Sequence, residues 1–475
     1  MTNGLEPKSE EIRQMLGLAT EKIIEYLSTN ETPIPFNMDK ALLEAAQQSE
    51  TIPEKQKPLR DVLEELFNNR ITKSYQASYP GHMSYIPGGS IFHSALAGLI
   101  ANITNSYIGV KFAAPFLVQT ESDVIRWFCE MVGFPGSSGG IFTSGGSISN
   151  LTAAVCARTL VLGEDFSKGV VYVSEFIHHS MLKAFQAAGL KSSQVKNIAI
   201  DDQFRFDVDS LAKTIEMDQA KGLVPMMIVA NAGSTNTGTV DSLNSIAEIA
   251  KNSGAWFHVD AAYGGFFIMT SSGKKQLKGI EQADSITLDP HKGLFLPWGT
   301  GALIVRDREN LKRVFTHQAD YIPESQSNYD LWDFSEMSLE LTRPFRGLAI
   351  WLPFKTLGVN TFKKALEEKL DLAQYFHNKL KDNQQWEIVA APELSITVFR
   401  YHDSCTTPEV LNQLNQTIID LVNSKFRTNI SGTWVNGNFV IRTCILNFRT
   451  HQKHLDWLLE DLNSALSEVK KTLKK

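Results

Sequence analysis

The stretch A-D-S-I-T-L-D-P-H-K (283–292) places an amine where covalent chemistry is expected. Residues 285–288 read as a short buried strand, and Pro290 stops further ladder pairing. His291 and Lys292 are thereby delivered to the carboxyl end of a strand, where open α/β sheets gather their ligands. A lone H-K pair reads first as surface charge. Two stretches upstream change that reading. Asp260 stands in F-H-V-D-A-A-Y-G-G (257–265), at the end of a second strand, and T-S-G-G-S (143–147) is a glycine-rich turn between a strand and a helix. An amine, a strand-end carboxylate and a phosphate cradle are together what pyridoxal phosphate requires of a protein.

Each feature has a chemical reason. Gly145 and Gly146 let backbone N–H groups approach a phosphate, the helix beginning near Ser149 adds its dipole, and Ser147 offers a hydroxyl. The turn is neither a P-loop nor the dinucleotide fingerprint. A carboxylate at the depth of Asp260 is costly without a cation, and a protonated pyridine nitrogen would be one. The pair would keep the ring protonated and so best able to withdraw electrons from Cα. Ala261 and Ala262 leave room for a flat ring. His178, in S-E-F-I-H-H-S (174–180), reads either as an imidazole laid against that ring or as a helix cap; beside His179 it makes no metal site without further ligands. Thr235, in N-A-G-S-T (231–235), occupies an equivalent strand end and could hydrogen-bond the cofactor. Turn, histidine, threonine, aspartate and lysine each follow a separate strand, an agreement that packing alone does not explain.

The elements that must position them alternate. Strands are expected at 141–143, 170–173, 226–230, 256–259, 285–288 and 302–305, several as continuous apolar runs of the kind buried on both faces. Helices are expected between them at 149–162, 179–188, 209–217 and 242–251, giving a β/α unit with a mostly parallel sheet. Before this unit, an amphipathic helix over 9–30 and two short helical stretches cannot close a core alone and are expected to pack on another surface, such as a second subunit. The loop Y-P-G-H-M-S-Y-I-P-G-G-S (79–90) reads as ordered and irregular, and Tyr85 and Phe112 are candidate pocket aromatics. Residues 316–336 are polar and aperiodic, as a mobile loop would be. A long helical region from 344, interrupted near Gly358, leads to strands at 386–390, 395–401 and 439–446. A helix N-capped by Thr407 with Pro408 following, and a terminal helix, complete a small α+β unit. The division expected is 1–90, 91–345 and 346–475.

Composition narrows the class. In 475 residues, 46 Lys and Arg stand against 52 Asp and Glu, for a net charge of −6 and no basic tract, so nucleic acid is not expected as a partner. Cys129, Cys156, Cys405 and Cys444 are scattered, as reduced thiols of a cytoplasmic protein would be. The start is polar and acidic, unlike a signal peptide, and no apolar run is long enough to span a bilayer.

With these residues in view, the chain resembles the pyridoxal-phosphate-dependent group II amino acid decarboxylases, the family of the aromatic L-amino acid and glutamate enzymes. The resemblance rests on H-V-D-A-A-Y (258–263) and P-H-K (290–292), and extends through 174–180, the Thr235 segment and 343–351. It implies a fold-type I α/β architecture with a mostly parallel seven-stranded sheet, and a homodimer in which N-terminal segments embrace the partner. It implies that Lys292 carries the cofactor, Asp260 meets the pyridine nitrogen, His178 stacks on the ring, and Gly146 and Ser147 hold the phosphate. Gly145, Thr235, Ala262 and His291 complete the implied cofactor set. The match of F-T-H-Q-A-D-Y-I (315–322) to the aromatic enzymes' mobile loop implies Tyr321 as the acid that protonates Cα; related aldehyde synthases typically carry phenylalanine there. The activity implied is decarboxylation of an L-amino acid, best an aromatic one, to its amine. The alternatives are acidic amino acid decarboxylation, aldehyde synthesis, carbon–carbon lyase chemistry or transamination.

Two departures stand out. The position that is typically asparagine beside the phosphate is Asp289, and Y-F-P-T at the substrate carboxylate site is Y-I-P-G (85–88), without the threonine. A rival motif, G-S-S-G-G (136–140), fits the nucleophile-elbow pattern of serine hydrolases, but its neighbours read as helix before and strand after, the reverse of what that motif needs.

Overall fold

The structure, a computed structural model, describes residues 5–29, 38–317 and 331–473. Its larger sheet has seven strands: β1 (Gly139–Thr143), β2 (Gly169–Ser174), β3 (Val195–Ile198), β4 (Val224–Asn231), β5 (Trp256–Asp260), β6 (Ser285–Leu288) and β7 (Gly301–Val305). They lie in the order β1-β7-β6-β5-β4-β2-β3, with β7 antiparallel to both its neighbours and the other pairs parallel. Because β1 and β6 both oppose β7, they run the same way as each other. The carboxyl ends of β1, β2, β4, β5 and β6 therefore share one edge of the sheet.

All residues of β1, β2, β5, β6 and β7 are buried, so both faces of the sheet are covered, which is why these strands read as unbroken apolar runs. The edge strand β3 was not expected. Its sequence, V-K-N-I, buries only Ile198, so it carries no such signal. Helices Gly146–Leu162, His179–Ala187, Val208–Ala220 and Leu243–Ser253 connect the strands. The first begins at Gly146, earlier than the Ser149 expected, so the glycines belong to the helix start itself. G-S-S-G-G (136–140) lies between the helix Pro115–Val132 and β1, which removes the nucleophile-elbow context.

A second, antiparallel sheet is built from β8 (Trp386–Ala390), β9 (Ile396–Tyr401), β10 (Ser431–Val435) and β11 (Asn438–Cys444), in the order β10-β11-β9-β8. It packs with helices Val359–Lys381, Pro408–Lys425 and Gln452–Leu473 around its own core, which includes Phe376, Phe399, Ile418 and Leu458. Thr407 takes the cap position of Pro408–Lys425, but its side chain makes no capping hydrogen bond. Gly358, at φ 73°, separates Leu348–Leu357 from Val359–Lys381, the interruption expected there.

The helix Ser9–Thr29 has no buried residue, and Ile12, Leu16, Ile23, Ile24 and Leu27 stay exposed along its apolar stripe. The helix Phe92–Thr104 likewise leaves Phe92, Leu96, Leu99, Ile100 and Ile103 exposed. Among the described residues no helix is long and apolar enough to cross a membrane.

Candidate active site

One cavity of about 410 Å³ opens at the carboxyl edge of the large sheet. Its lining contains Gly145, Gly146, Ser147, His178, Thr235, Asp260, Ala262, His291 and Lys292, so residues drawn from five strand ends meet in one place. Tyr85 and Phe112 do not line it; their side chains are exposed. Tyr321 lies outside the described residues.

The turn after β1 is shaped by its glycines. Gly145 adopts φ 154° and ψ 172°, a conformation essentially restricted to glycine, and caps the helix that Gly146 begins. Thr143 Oγ1 braces the turn, donating to the Gly145 carbonyl at 3.0 Å and pairing with Ser149 Oγ at 2.8 Å. The first amides of a helix have no intrahelical acceptor, so those of Gly146 and Ser147 suit an anion.

Asp260 ends β5 and is 8% exposed. Oδ1 accepts the Ala262 amide at 3.1 Å and Oδ2 accepts Asn150 Nδ2 at 3.0 Å. Asn150 Nδ2 also reaches Ser180 Oγ at 3.1 Å, and Ser180 Oγ meets His178 Nδ1 at 2.7 Å. His178 thus caps the helix His179–Ala187, Nδ1 also accepting the Ser180 amide at 3.3 Å. Burial holds its pKa below the ordinary histidine value despite the charge of Asp260. The ring is therefore neutral near pH 7, with its hydrogen on Nε2. Capping and cofactor contact, alternatives in the sequence, are compatible, because capping occupies only Nδ1.

Lys292 and His291 follow β6 in the short helix Pro290–Gly293, which Asp289 precedes. His291 Nδ1 donates to the Thr300 carbonyl at 2.7 Å, which fixes its tautomer. Lys292 Nζ lies 2.9 Å from Asp289 Oδ2. Burial alone would push the lysine down, but the charge and hydrogen bond of Asp289, with Asp260 behind, leave it above the ordinary lysine value. Gly88 packs against this segment so closely that a Cβ there would fall 2.3 Å from the His291 carbonyl oxygen. The 79–90 loop is thereby fitted to the lysine turn.

Three participants carried no motif in the sequence. Asn150 and Ser180 sit within helices where their types look unremarkable, yet they join Asp260 to His178. Arg442, on β11, donates to the carbonyls of Thr235 (2.7 Å) and Tyr85 (2.8 Å), tying the smaller sheet to two site loops. Its Nη2 is buried without a hydrogen-bond partner among the described residues. Only an arginine amid the apolar run F-V-I-R-T-C-I-L (439–446) hinted at it.

The residues fit pyridoxal phosphate. The cavity is of ligand size. It offers a helix start for the phosphate, a buried strand-end carboxylate for the ring nitrogen and a lysine amine. Asp289 Oδ1, buried and unpartnered among the described residues, is the one discordant atom. This fold and site define the class of fold-type I pyridoxal phosphate enzymes.

Comparison with known proteins agrees. The family described as "Pyridoxal-dependent decarboxylase conserved domain" matches residues 42–402. An aromatic-L-amino-acid decarboxylase of Bacillus atrophaeus is 33% identical, over 99% of this chain and 98% of its own. The solved tryptophan decarboxylase of Catharanthus roseus with L-tryptophan is 26% identical, with a TM-score of 0.90 over 98% of this chain and 99% of its own. The Oryza sativa enzyme crystallised with PLP and tryptamine, at 23% identity, shares the fold with a TM-score of 0.93 over 98% and 99% of the two chains. The chain belongs to the pyridoxal-dependent decarboxylase family and is a carboxy-lyase acting on amino acids with pyridoxal phosphate as its cofactor.

Proposed function

We infer that this enzyme decarboxylates an aromatic L-amino acid to the corresponding amine. The observation that carries the reading is the convergence of Lys292, Asp260 and the 145–147 turn on one cavity, in a chain whose relatives include aromatic and tryptophan decarboxylases. When bound, pyridoxal phosphate supplies an electron sink for the negative charge left at Cα as carbon dioxide departs.

The chain's own residues do the rest. Gly145, Gly146 and Ser147 would bind the phosphate, Thr235 and Ala262 would bound the ring, and Asp260 would hold the ring nitrogen protonated. His178, its Nδ1 committed to Ser180, offers a neutral ring face and an Nε2–H. Lys292 is the amine that would hold the cofactor; His291, anchored on Thr300, fixes the turn that presents it. Tyr321 delivers the proton to Cα. For the division 1–90, 91–345 and 346–475, support comes from a second buried cluster around Phe376, Phe399, Ile418 and Leu458, although Val398 and Val440 of the smaller sheet pack into the large cluster. The exposed apolar faces of Ser9–Thr29 and Phe92–Thr104 support a homodimer, and the unpaired cysteines suit the cytoplasm.

The test is to offer the holoenzyme each standard amino acid and follow carbon dioxide and amine together. Aromatic substrates are expected to give both in equal amounts. Carbon dioxide from an acidic or diamino acid, with none from aromatic ones, would overturn the substrate; aldehyde in place of amine would overturn the product.

A further inference from the structure

Asp289 stands where two demands of cofactor capture meet. Its side chain is 3% exposed, Oδ2 is 2.9 Å from Lys292 Nζ and 3.7 Å from His291 Nε2, and Oδ1 has no hydrogen-bond partner among the described residues. The same Oδ2 lies 3.1 Å from where a Cβ on Gly146 would sit, so the carboxylate presses on the phosphate turn. Without cofactor this is stable, because the ammonium compensates the buried carboxylate. With cofactor it is not: Lys292 must become a neutral amine to bond the aldehyde carbon, and a phosphate at Gly146 faces a like charge.

We propose that Asp289 accepts the proton of the Lys292 ammonium as the cofactor is captured, so that one transfer frees the amine and discharges the carboxylate beside the phosphate. The inference rests on the pyridoxal phosphate reading of the site. The balance is complete. One ammonium proton passes from Nζ to Oδ2, the amine lone pair bonds the aldehyde carbon, and the two remaining amine hydrogens leave with the aldehyde oxygen as water.

Other groups facing the pair are worse acceptors. His291 is anchored by its Nδ1 hydrogen on Thr300, and among the described residues its Nε2 makes no hydrogen bond to Lys292 Nζ. His178, across the cavity, is held neutral by burial and uses Nδ1 on Ser180. Asp260 on β5 acts on Lys292 through its charge but is engaged by Asn150 and Ala262, and burial pushes the thiol of Cys444 on β11 up to about 11, so it already carries its hydrogen. Asp289 alone among them is in hydrogen-bond contact with Nζ.

The experiment titrates cofactor-stripped protein with pyridoxal phosphate and with pyridoxal, which lacks the phosphate, for the wild type and Asp289→Asn. Fluorescence quenching gives affinities. Calorimetry in buffers of different ionisation enthalpy gives protons exchanged, at a pH above the second phosphate pKa of about 6. The variant is expected to leave the preference for pyridoxal phosphate over pyridoxal unchanged, because a discharged carboxyl and a neutral amide face the phosphate alike. The wild type is expected to retain about one proton more per cofactor than the variant. A preference raised by about tenfold or more in the variant, a pKa unit's worth of repulsion from a carboxylate still charged beside the phosphate, or equal proton counts would overturn the proposal. So would a wild type that releases a full proton on capture, a result needing no variant. Borohydride reduction separates the two levels of inference. No pyridoxyl group on Lys292 in the wild type means the cofactor reading of the site has failed, whereas a labelled Lys292 with equal proton counts removes only the role of Asp289.

Discussion

Asn150 Nδ2 lies 3.0 Å from Asp260 Oδ2, and the amide that makes this contact cannot turn over. Its Oδ1 accepts the Thr287 hydroxyl at 2.6 Å and faces His258 Nε2 at 3.3 Å, while Nδ2 also donates to Ser180 Oγ. Burial takes His258 down to about 4, so it is neutral and Nε2 can carry a hydrogen toward Oδ1. A 180° flip would set the amide oxygen against a carboxylate and the NH2 against two donors. Asn150 is thus a positioning residue that aims Asp260 and, through Ser180, His178.

Asn150→Ala is expected to lower kcat about 10- to 100-fold, the 1–3 kcal/mol that an unsatisfied buried polar group typically costs. KM for the amino acid should hardly move, because Asn150 lines the cavity but spends its amide on Asp260, Ser180 and Thr287. Asn150→Asp, which sets a second carboxylate against Asp260, should be worse than alanine and should weaken cofactor retention. Loss confined to KM would show that the network does not act through Asp260.

For Asp260 itself, Asp260→Asn should lose far more in kcat than in cofactor affinity. A neutral amide still hydrogen-bonds but no longer keeps the ring nitrogen protonated, and an interaction that grows toward the transition state is read in kcat. Parallel measurement of cofactor Kd and steady-state rates checks this. A variant that loses only affinity would make Asp260 a structural anchor.

How much of this was legible beforehand follows the physics of each element. Fully buried strands announce themselves as apolar runs, and six of the large sheet's strands were found that way. β3 escaped because an edge strand is solvated and V-K-N-I looks polar. β10 escaped although its turn was visible: Asn436 and Gly437, both at positive φ, close the two-residue loop between Val435 and Asn438. Lys292, Asp260 and the glycine turn were readable because their chemistry demands particular types at strand ends. Asn150 and Arg442 were not, since a supporting hydrogen bond between residues 110 positions apart leaves no local pattern.

Stability offers an independent check at Arg343. This arginine is buried with its Nη1 2.8 Å from Glu121 Oε1, and Nη2 donates to the Phe142 carbonyl on β1. Glu121 in turn accepts the Gly347 amide at 2.7 Å, so the pair ties the helix Pro115–Val132 to the segment leading into Leu348–Leu357. Arg343→Met should cost about 3–5 kcal/mol, because it strands a buried carboxylate. Burial already pushes that carboxyl up, so without its arginine Glu121 will protonate more readily. Because the carboxyl is raised in the folded wild type and raised further without its arginine, the variant's deficit relative to wild type should shrink as pH falls through that raised range, above the usual carboxylate values. The double variant Arg343→Met/Glu121→Leu should recover much of the loss. Urea denaturation across pH measures all three.

The last prediction concerns the proton that completes the reaction. Once carbon dioxide has left, Cα carries negative charge, and an amine forms only if a proton reaches that carbon before another electrophile does. A phenol suits the task, because an ordinary tyrosine pKa of about 10 keeps it protonated at neutral pH. His178 is the alternative in the cavity, but its neutral ring offers only the Nε2 hydrogen and is held there by the cap that occupies Nδ1. Tyr321→Phe removes the phenolic proton with little change in bulk. Amine yield per carbon dioxide should fall at least about tenfold, well inside the roughly 100- to 10,000-fold that a general acid contributes. In air the missing product should emerge as aldehyde, ammonia and hydrogen peroxide with matching oxygen uptake; under nitrogen, turnover should simply slow. His178→Gln should leave the ratio of amine to aldehyde near that of the parent while lowering the rate. If Tyr321→Phe makes amine at the parent's rate without consuming oxygen, the proton comes from elsewhere, and a product ratio that shifts in His178→Gln instead would identify the histidine as its source.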